Sequence, residues 1–245
     1  MSPTILAVCG KGGVGKTTVS ALIARRLAQQ NRRALLVDAD PAGGLAMALH
    51  FTPEKTINDV RRQTVRELQQ SGVDKRDLAV SFDYLVQELL IERGGLAFLP
   101  IGRPEEKGCY CSVNRLLKES IALLAAQFDT IVIDAEAGIE QVNRNVLQRV
   151  THLLLVSDTS AKGLKVTALI RETATAMEVN AHSGLLLNRV RDEREIVDTA
   201  LPLWGALPED ETVRRYDAEE RDFFTFPDGE LTRRLDTALI SIFST

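Results

Sequence analysis

Residues 10–17 read Gly10-Lys11-Gly12-Gly13-Val14-Gly15-Lys16-Thr17, a match to G-x-x-x-x-G-K-[ST]. The motif follows the apolar run Thr4 to Cys9 and opens an amphipathic pattern in which Val19, Leu22, Ile23 and Leu27 repeat at steps of three and four. A strand, a glycine-rich turn and a helix in that order is the context in which the pattern binds phosphate. The glycines let the backbone curl so that successive N–H groups face one anion, and the helix N-terminus adds a favourable partial charge. Gly12, Gly13, Val14, Gly15, Lys16, Thr17 and Thr18 are therefore the expected nucleotide contacts. Lys16 is placed for the β and γ phosphates and Thr17 for Mg²⁺, an ion that keeps several waters and needs few protein ligands. A plain strand-to-helix turn with two solvated lysines is the alternative, and it leaves the glycine excess unexplained.

Further apolar runs of strand length occur at Ala34 to Val37, Leu96 to Leu99, Thr130 to Ile133, His152 to Val156, Gly184 to Leu187 and Leu203 to Leu207. Nearly all are continuous rather than alternating, as strands covered on both faces should be. Helical patterns lie between them, for example Leu116, Leu117, Ile121 and Leu124. Such alternation specifies an α/β fold, a doubly wound, mainly parallel sheet with helices on both faces. The 245 residues suit one domain over 1–245. Pro53 to Gly94, polar and charged, breaks the rhythm and reads as an insertion of two helices, Ile57 to Gln70 and Arg76 to Glu92.

Lys plus Arg number 30 against 34 Asp plus Glu, a net charge of −4, which argues against a chain that coats nucleic acid by bulk charge. No apolar run approaches the roughly 20 residues of a membrane helix. Met-Ser-Pro-Thr leads straight into a strand without a basic flank or cleavage site, so a cytoplasmic location is expected, with no membrane or nucleic-acid partner. The three cysteines, Cys9, Cys109 and Cys111, leave metal binding, redox chemistry or burial rather than a disulfide framework.

Two strands end in carboxylates, Asp38-Ala39-Asp40-Pro41 and Asp134-Ala135-Glu136, and ligands of open α/β sheets bind at such carboxyl ends. The early Lys11 in K-G-G-V-G-K-T-T resembles the deviant Walker A motif of the MinD/ParA/nitrogenase iron protein class of ATPases. That resemblance implies the corresponding P-loop fold and a homodimer closed by ATP, with Lys11 reaching the partner's nucleotide. It also implies that Asp134 holds the Mg²⁺ shell through water, that Asp38 supports it and that Asp40 orients the attacking water. Glu136 divides evenly between such a role and a helix cap. Leu187-Asn188-Arg189-Val190 lacks the Asp of a guanine-reading motif, which favours ATP over GTP. Asn188, with Leu207, Pro208 and Glu209, resembles the adenine contacts of the class, although Asn188 also suits a simple strand end.

Cys109-Tyr110-Cys111 can turn both sulfurs to one side of an extended segment, and soft thiolates suit Zn²⁺, Ni²⁺, Cu(I) or an Fe–S cluster. Two sulfurs fall short of the four a closed tetrahedral site takes, and a two-fold axis would supply the other pair from a second chain. His50, His152 and His182 sit in or beside apolar runs and read as structural. Gly102-Arg103-Pro104-Glu105, Gly108-Cys109-Tyr110-Cys111, Asn114, Asp134 to Glu140, and Ser157-Asp158 before Gly163-Leu164-Lys165 resemble the CooC-type ATPases. The resemblance implies an ATP- and Mg²⁺-dependent metallochaperone that carries Ni²⁺ or Zn²⁺ on Cys109 and Cys111 of two chains. Its client would be a nickel enzyme, carbon monoxide dehydrogenase or acetyl-CoA synthase. An electron-transfer ATPase like the nitrogenase iron protein is one competing reading, weakened because no cysteine follows Asp134. A positioning ATPase of the MinD or ParA kind is another, and it wants a basic membrane-binding tail or DNA surface. The terminal pattern Leu231, Leu235, Leu239 and Ile242 carries only Arg233 and Arg234, which favours core packing.

Overall fold

The computed structural model describes residues 3–40, 42–69, 84–102, 124, 127–135, 149–196 and 198–243. Strands β1 (Thr4–Gly10), β2 (Ala34–Asp38), β3 (Ile91–Arg93), β4 (Leu96–Pro100), β5 (Thr130–Asp134), β6 (His152–Ser157), β7 (His182–Val190) and β8 (Leu203–Pro208) form one sheet among the described residues. Their order is β3-β4-β2-β5-β1-β6-β7-β8. Only β3 runs antiparallel to its neighbour; the other described pairings are parallel. The chain moves outward from β1 to one edge, returns through β5, and then builds the other edge from β6 to β8. The strand order therefore reverses around β1, and a crevice opens at its carboxyl end.

The apolar runs explain the two layers. Ile5, Ala7 and Cys9 of β1 face a core that holds Ile57 and Val60 of α3 (Ile57–Gln69) and Ile170 and Ala174 of α4 (Ala161–Ala176). Leu6 and Val8 face the opposite core, with Leu22, Ile23 and Leu27 of α1 (Lys16–Gln29) and Leu235, Leu239 and Ile242 of α6 (Glu230–Phe243). Each such leucine or isoleucine, fully buried, contributes about 1.5–3 kcal/mol. The terminal leucine pattern thus packs into the core, as expected. α1 is further tied to the C-terminal segment by Arg25–Asp228 at 2.9 Å and Arg26–Asp236 at 2.7 Å.

Two short elements were not legible as such. α2 (Gly44–Ala48) follows the Asp38 loop directly. β3 occupies part of the stretch expected to be helical to Glu92: residues 84–88 are helical, and Ile91–Arg93 then pairs with β4. Gly94 and Gly95, at φ 60° and 80°, make the two-residue hairpin turn that needs positive φ at both positions. The Gly-Gly step before Leu96 was the available signal. The sheet consequently begins inside the stretch read as an insertion. Leu89 and Leu90 are not helical; residues 76–83 of the expected second helix, and Leu116, Leu117 and Ile121, lie outside the described residues.

Candidate functional site

The phosphate loop leaves β1 at Gly10, where a Cβ would lie 2.1 Å from the Val156 carbonyl oxygen of β6, so no other residue fits without moving the strand. Gly13 and Gly15 hold φ of 80° and 92°, a region L side chains rarely enter. Gly15 caps α1, and its carbonyl accepts the first helical bond from Val19 N at 2.9 Å. Lys16 is buried, and its Nζ donates back to Lys11 O at 3.3 Å, so the ammonium lies over the loop. Lys11 is half-buried at the start of the loop.

Thr17 Oγ1 donates to Asp134 Oδ2 at 2.8 Å, and Ser20 Oγ donates to Asp134 Oδ1 at 3.0 Å. One turn of α1 thus grips the carboxylate at the end of β5. Asp38 is the register partner of Asp134 on β2. Its Oδ2 accepts from Ala46 N at 3.1 Å and its Oδ1 from Asp40 N at 3.2 Å. Asp40 Oδ1 in turn accepts from Ala42 N at 2.8 Å, which fixes the half-exposed Asp40 at the mouth of the crevice. Burial raises the Asp38 carboxyl to about 7, against the pull of its backbone donors. It raises Asp134 to about 6, opposed by the Thr17 and Ser20 hydroxyls and Lys16. Two buried carboxylates held at that cost, beside a hydroxyl, form a set of hard oxygens that fits Mg²⁺. Thr17 and Asp134 are the residues placed to hold it, directly or through water.

Beyond Thr18, a cavity of about 810 Å³ is lined by Thr18, Leu22, Asn188, Leu207, Pro208 and Glu209, among others, and by α5 (Glu211–Ala218). The expected base contacts are therefore brought together next to the loop. Glu209 is held by Arg191, whose Nε donates to Oε2 at 2.6 Å. Asn188 is buried, with Nδ2 donating to Val14 O at 2.8 Å and Oδ1 accepting from Arg189 N at 3.0 Å.

Cys109, Cys111 and Glu136 lie outside the described residues. Among the described residues no three His, Cys, Asp or Glu side chains come together to hold a metal ion. Cys9 is buried and its thiol is pushed up to about 12, which leaves it inert. His152 and His182 stack at 5.4 Å near Trp204, away from the loop at the other end of their strands. Among the described residues no helix is long and apolar enough to cross a membrane. Ser20 is the residue sequence reading missed. Its place three residues after Thr17, on the same face of α1, was the signal.

Residues 5–223 match the family model described as the CobQ/CobB/MinD/ParA nucleotide binding domain. An uncharacterized ATP-binding protein of Methanocaldococcus jannaschii is 34% identical over 235 residues, covering 92% of each chain. The carbon monoxide dehydrogenase accessory protein CooC of Rhodospirillum rubrum is 26% identical over 226 residues, covering 86% of each. The cell division ATPase MinD of Pyrococcus furiosus superposes with a TM-score of 0.72 at 22% identity, over 100% of this chain and 99% of that one, a likeness of fold. A mainly parallel sheet wound around a glycine-rich loop, with this family match over most of the chain, places the protein in the CobQ/CobB/MinD/ParA nucleotide-binding family of P-loop ATPases.

Proposed function

We propose that the chain is a Mg·ATP-dependent, dimerising ATPase that carries nickel or zinc and assists nickel insertion into carbon monoxide dehydrogenase or acetyl-CoA synthase. The observation that carries the nucleotide part is the grip of Thr17 and Ser20 on Asp134 beside the buried Lys16. In this reading the Gly12–Thr18 backbone and Lys16 bind the β and γ phosphates. Mg²⁺ neutralises phosphate charge when bound, and Asp134 and Asp38 fix its place. Asp40, anchored through Ala42 N, orients the water that attacks the γ-phosphate, releasing ADP and phosphate. Lys11 reaches the nucleotide of the second chain. Leu207, Pro208 and Glu209 border the base.

The cargo part is supported by the similarity to the R. rubrum accessory protein and by the Cys109-x-Cys111 pair. Two such pairs across a two-fold axis make a four-thiolate site, with the metal as substrate rather than resident cofactor. Anaerobic titration tests it. One Ni²⁺ or Zn²⁺ is expected per two chains, lost in Cys109→Ser or Cys111→Ser while ATP binding persists. Full metal stoichiometry in the double variant contradicts the shared site and favours a positioning ATPase of the MinD or ParA kind. Lys11→Ala should keep ATP binding and lose the ATP-induced dimer. Asp40→Ala should retain that dimer and lose turnover.

A further inference from the structure

The fixing of Asn188 has a consequence for how the loop is shaped. Asn188 ends the regular part of β7, and β6 lies between β7 and β1 in the sheet. Its side chain therefore reaches past one strand to touch the loop that follows β1. Nδ2 meets the Val14 carbonyl at 2.8 Å, and Gly15 passes so close that a Cβ there would stand 2.5 Å from Nδ2. The amide cannot be turned over. Reversed, its oxygen would face the Val14 oxygen and its nitrogen the Arg189 N–H, two unfavourable contacts in place of two hydrogen bonds. The Arg189 N–H holds Oδ1 at 3.0 Å. Two features, the buried amide and the bare Cα of Gly15, thus serve one contact.

A trans peptide sets its C=O and N–H in opposite directions. Holding Val14 O toward Asn188 therefore aims the Gly15 N–H away from Asn188. That N–H belongs to the glycine that caps α1, directly before Lys16. We propose that Asn188 is a positioning residue for phosphate binding: it locks the Val14–Gly15 peptide so that the Gly15 N–H is presented to the phosphate. The inference rests on the reading that this loop binds a nucleotide, and it adds a task on the loop to the base contact expected of Asn188. Gly10 against Val156 O secures one end of the loop, and Asn188 secures the other.

The test compares the affinities of Mg·ATP, Mg·GTP and Mg·tripolyphosphate by calorimetry for the full chain and for Asn188→Ala and Asn188→Asp. Asn188→Ala should weaken all three, and should weaken tripolyphosphate, which carries no base, by about tenfold. Asn188→Asp, which sets an oxygen against Val14 O, should weaken all three further. A structural role alone would lower the melting temperature of the ligand-free chain without the common loss in folded protein at low temperature. Gly15→Ala supplies a second reading, because part of its penalty is the clash with Nδ2. That part should vanish in the Asn188→Ala background, so the double variant loses less than the product of the two single losses. Loss of ATP affinity with tripolyphosphate binding unchanged overturns the proposal and leaves Asn188 to the base alone. Failure of the unaltered chain to bind any of the three ligands contradicts the nucleotide reading itself, and the proposal with it.

Discussion

At the carboxyl end of the sheet, Asp38 and Asp134 lie side by side on β2 and β5. At the amino end, His152 and His182 lie side by side on β6 and β7. Both pairs put a titratable group into the interior, and the two ends treat it differently. Asp134 receives two hydroxyls and Asp38 two backbone N–H groups, yet burial still lifts both carboxyls into the range near neutrality. Thr151 Oγ1 lies 2.8 Å from His152 Nδ1, and His152 Nε2 is buried with no hydrogen-bond partner among the described residues. Burial first, and His182 second, push its pKa down, so it stays neutral and packs. A pair of buried acids beside a hydroxyl is a set of hard oxygens that suits a cation, whereas the buried His152 ring is part of the core.

The largest expected effect lies at the carboxyl end. Lys16→Ala should lower Mg·ATP affinity by at least about a hundredfold, roughly 3 kcal/mol, in calorimetry. The fold should tolerate it, since a buried cation is removed rather than created. If affinity is unchanged, the loop assignment is wrong.

Second comes the pH response of the nucleotide-free protein in chelator. Asp38 and Asp134 bind protons more tightly folded than unfolded, so between about pH 4 and 7 the folded state holds the extra protons. Stability should therefore fall as pH rises through that window, by up to about 1.4 kcal/mol per pH unit for each proton released. Asp134→Asn should flatten part of that slope in denaturant titrations taken at successive pH values. A wild-type profile with no such fall would show that the carboxylates are not under the burial described.

A smaller effect is expected at Ser20. Removing its hydroxyl leaves Asp134 with Thr17, so Ser20→Ala should cost about 1 kcal/mol, seen as a several-fold loss of Mg-dependent nucleotide affinity. The smallest effect belongs to the amino end. His152 takes up a proton more readily unfolded than folded, so its contribution to stability is lost as pH falls below about 6.5, opposite in sign to the carboxylates. His152→Leu should remove that acid sensitivity and leave nucleotide binding intact. An altered ATP affinity in this variant would break the contrast between the two ends.

Much of this contrast could be read in advance, because the informative residues are local. The loop from Gly10 to Thr17 carries its own geometry in its glycines, and β1, β2, β5 and β6 are continuous apolar runs whose ends are marked by Gly10, Asp38, Asp134 and Ser157. The less legible elements depend on partners outside their own segment. β3 is three residues long and exists because the Gly94-Gly95 turn folds it onto β4, while the charged Glu92 and Arg93 look helical in isolation. α2 is one turn whose Ala46 N–H is satisfied by Asp38, a contact eight residues away. Ser20 is an ordinary helix serine until Asp134, 114 residues later, is placed beneath it. Asn188 was recognisable as a strand-end residue near the nucleotide, but its bond to Val14 spans 174 residues.

The central claim is that Thr17, Asp134 and Lys16 form a Mg·nucleotide site, and ATP titration of wild type and Asp134→Asn, each with Mg²⁺ and with chelator, tests it most directly. The account predicts that removing Mg²⁺ weakens wild-type binding at least about tenfold, whereas Asp134→Asn binds ATP weakly and nearly alike in both conditions. Wild-type affinity indifferent to Mg²⁺, or a full Mg²⁺ effect in Asp134→Asn, would contradict it.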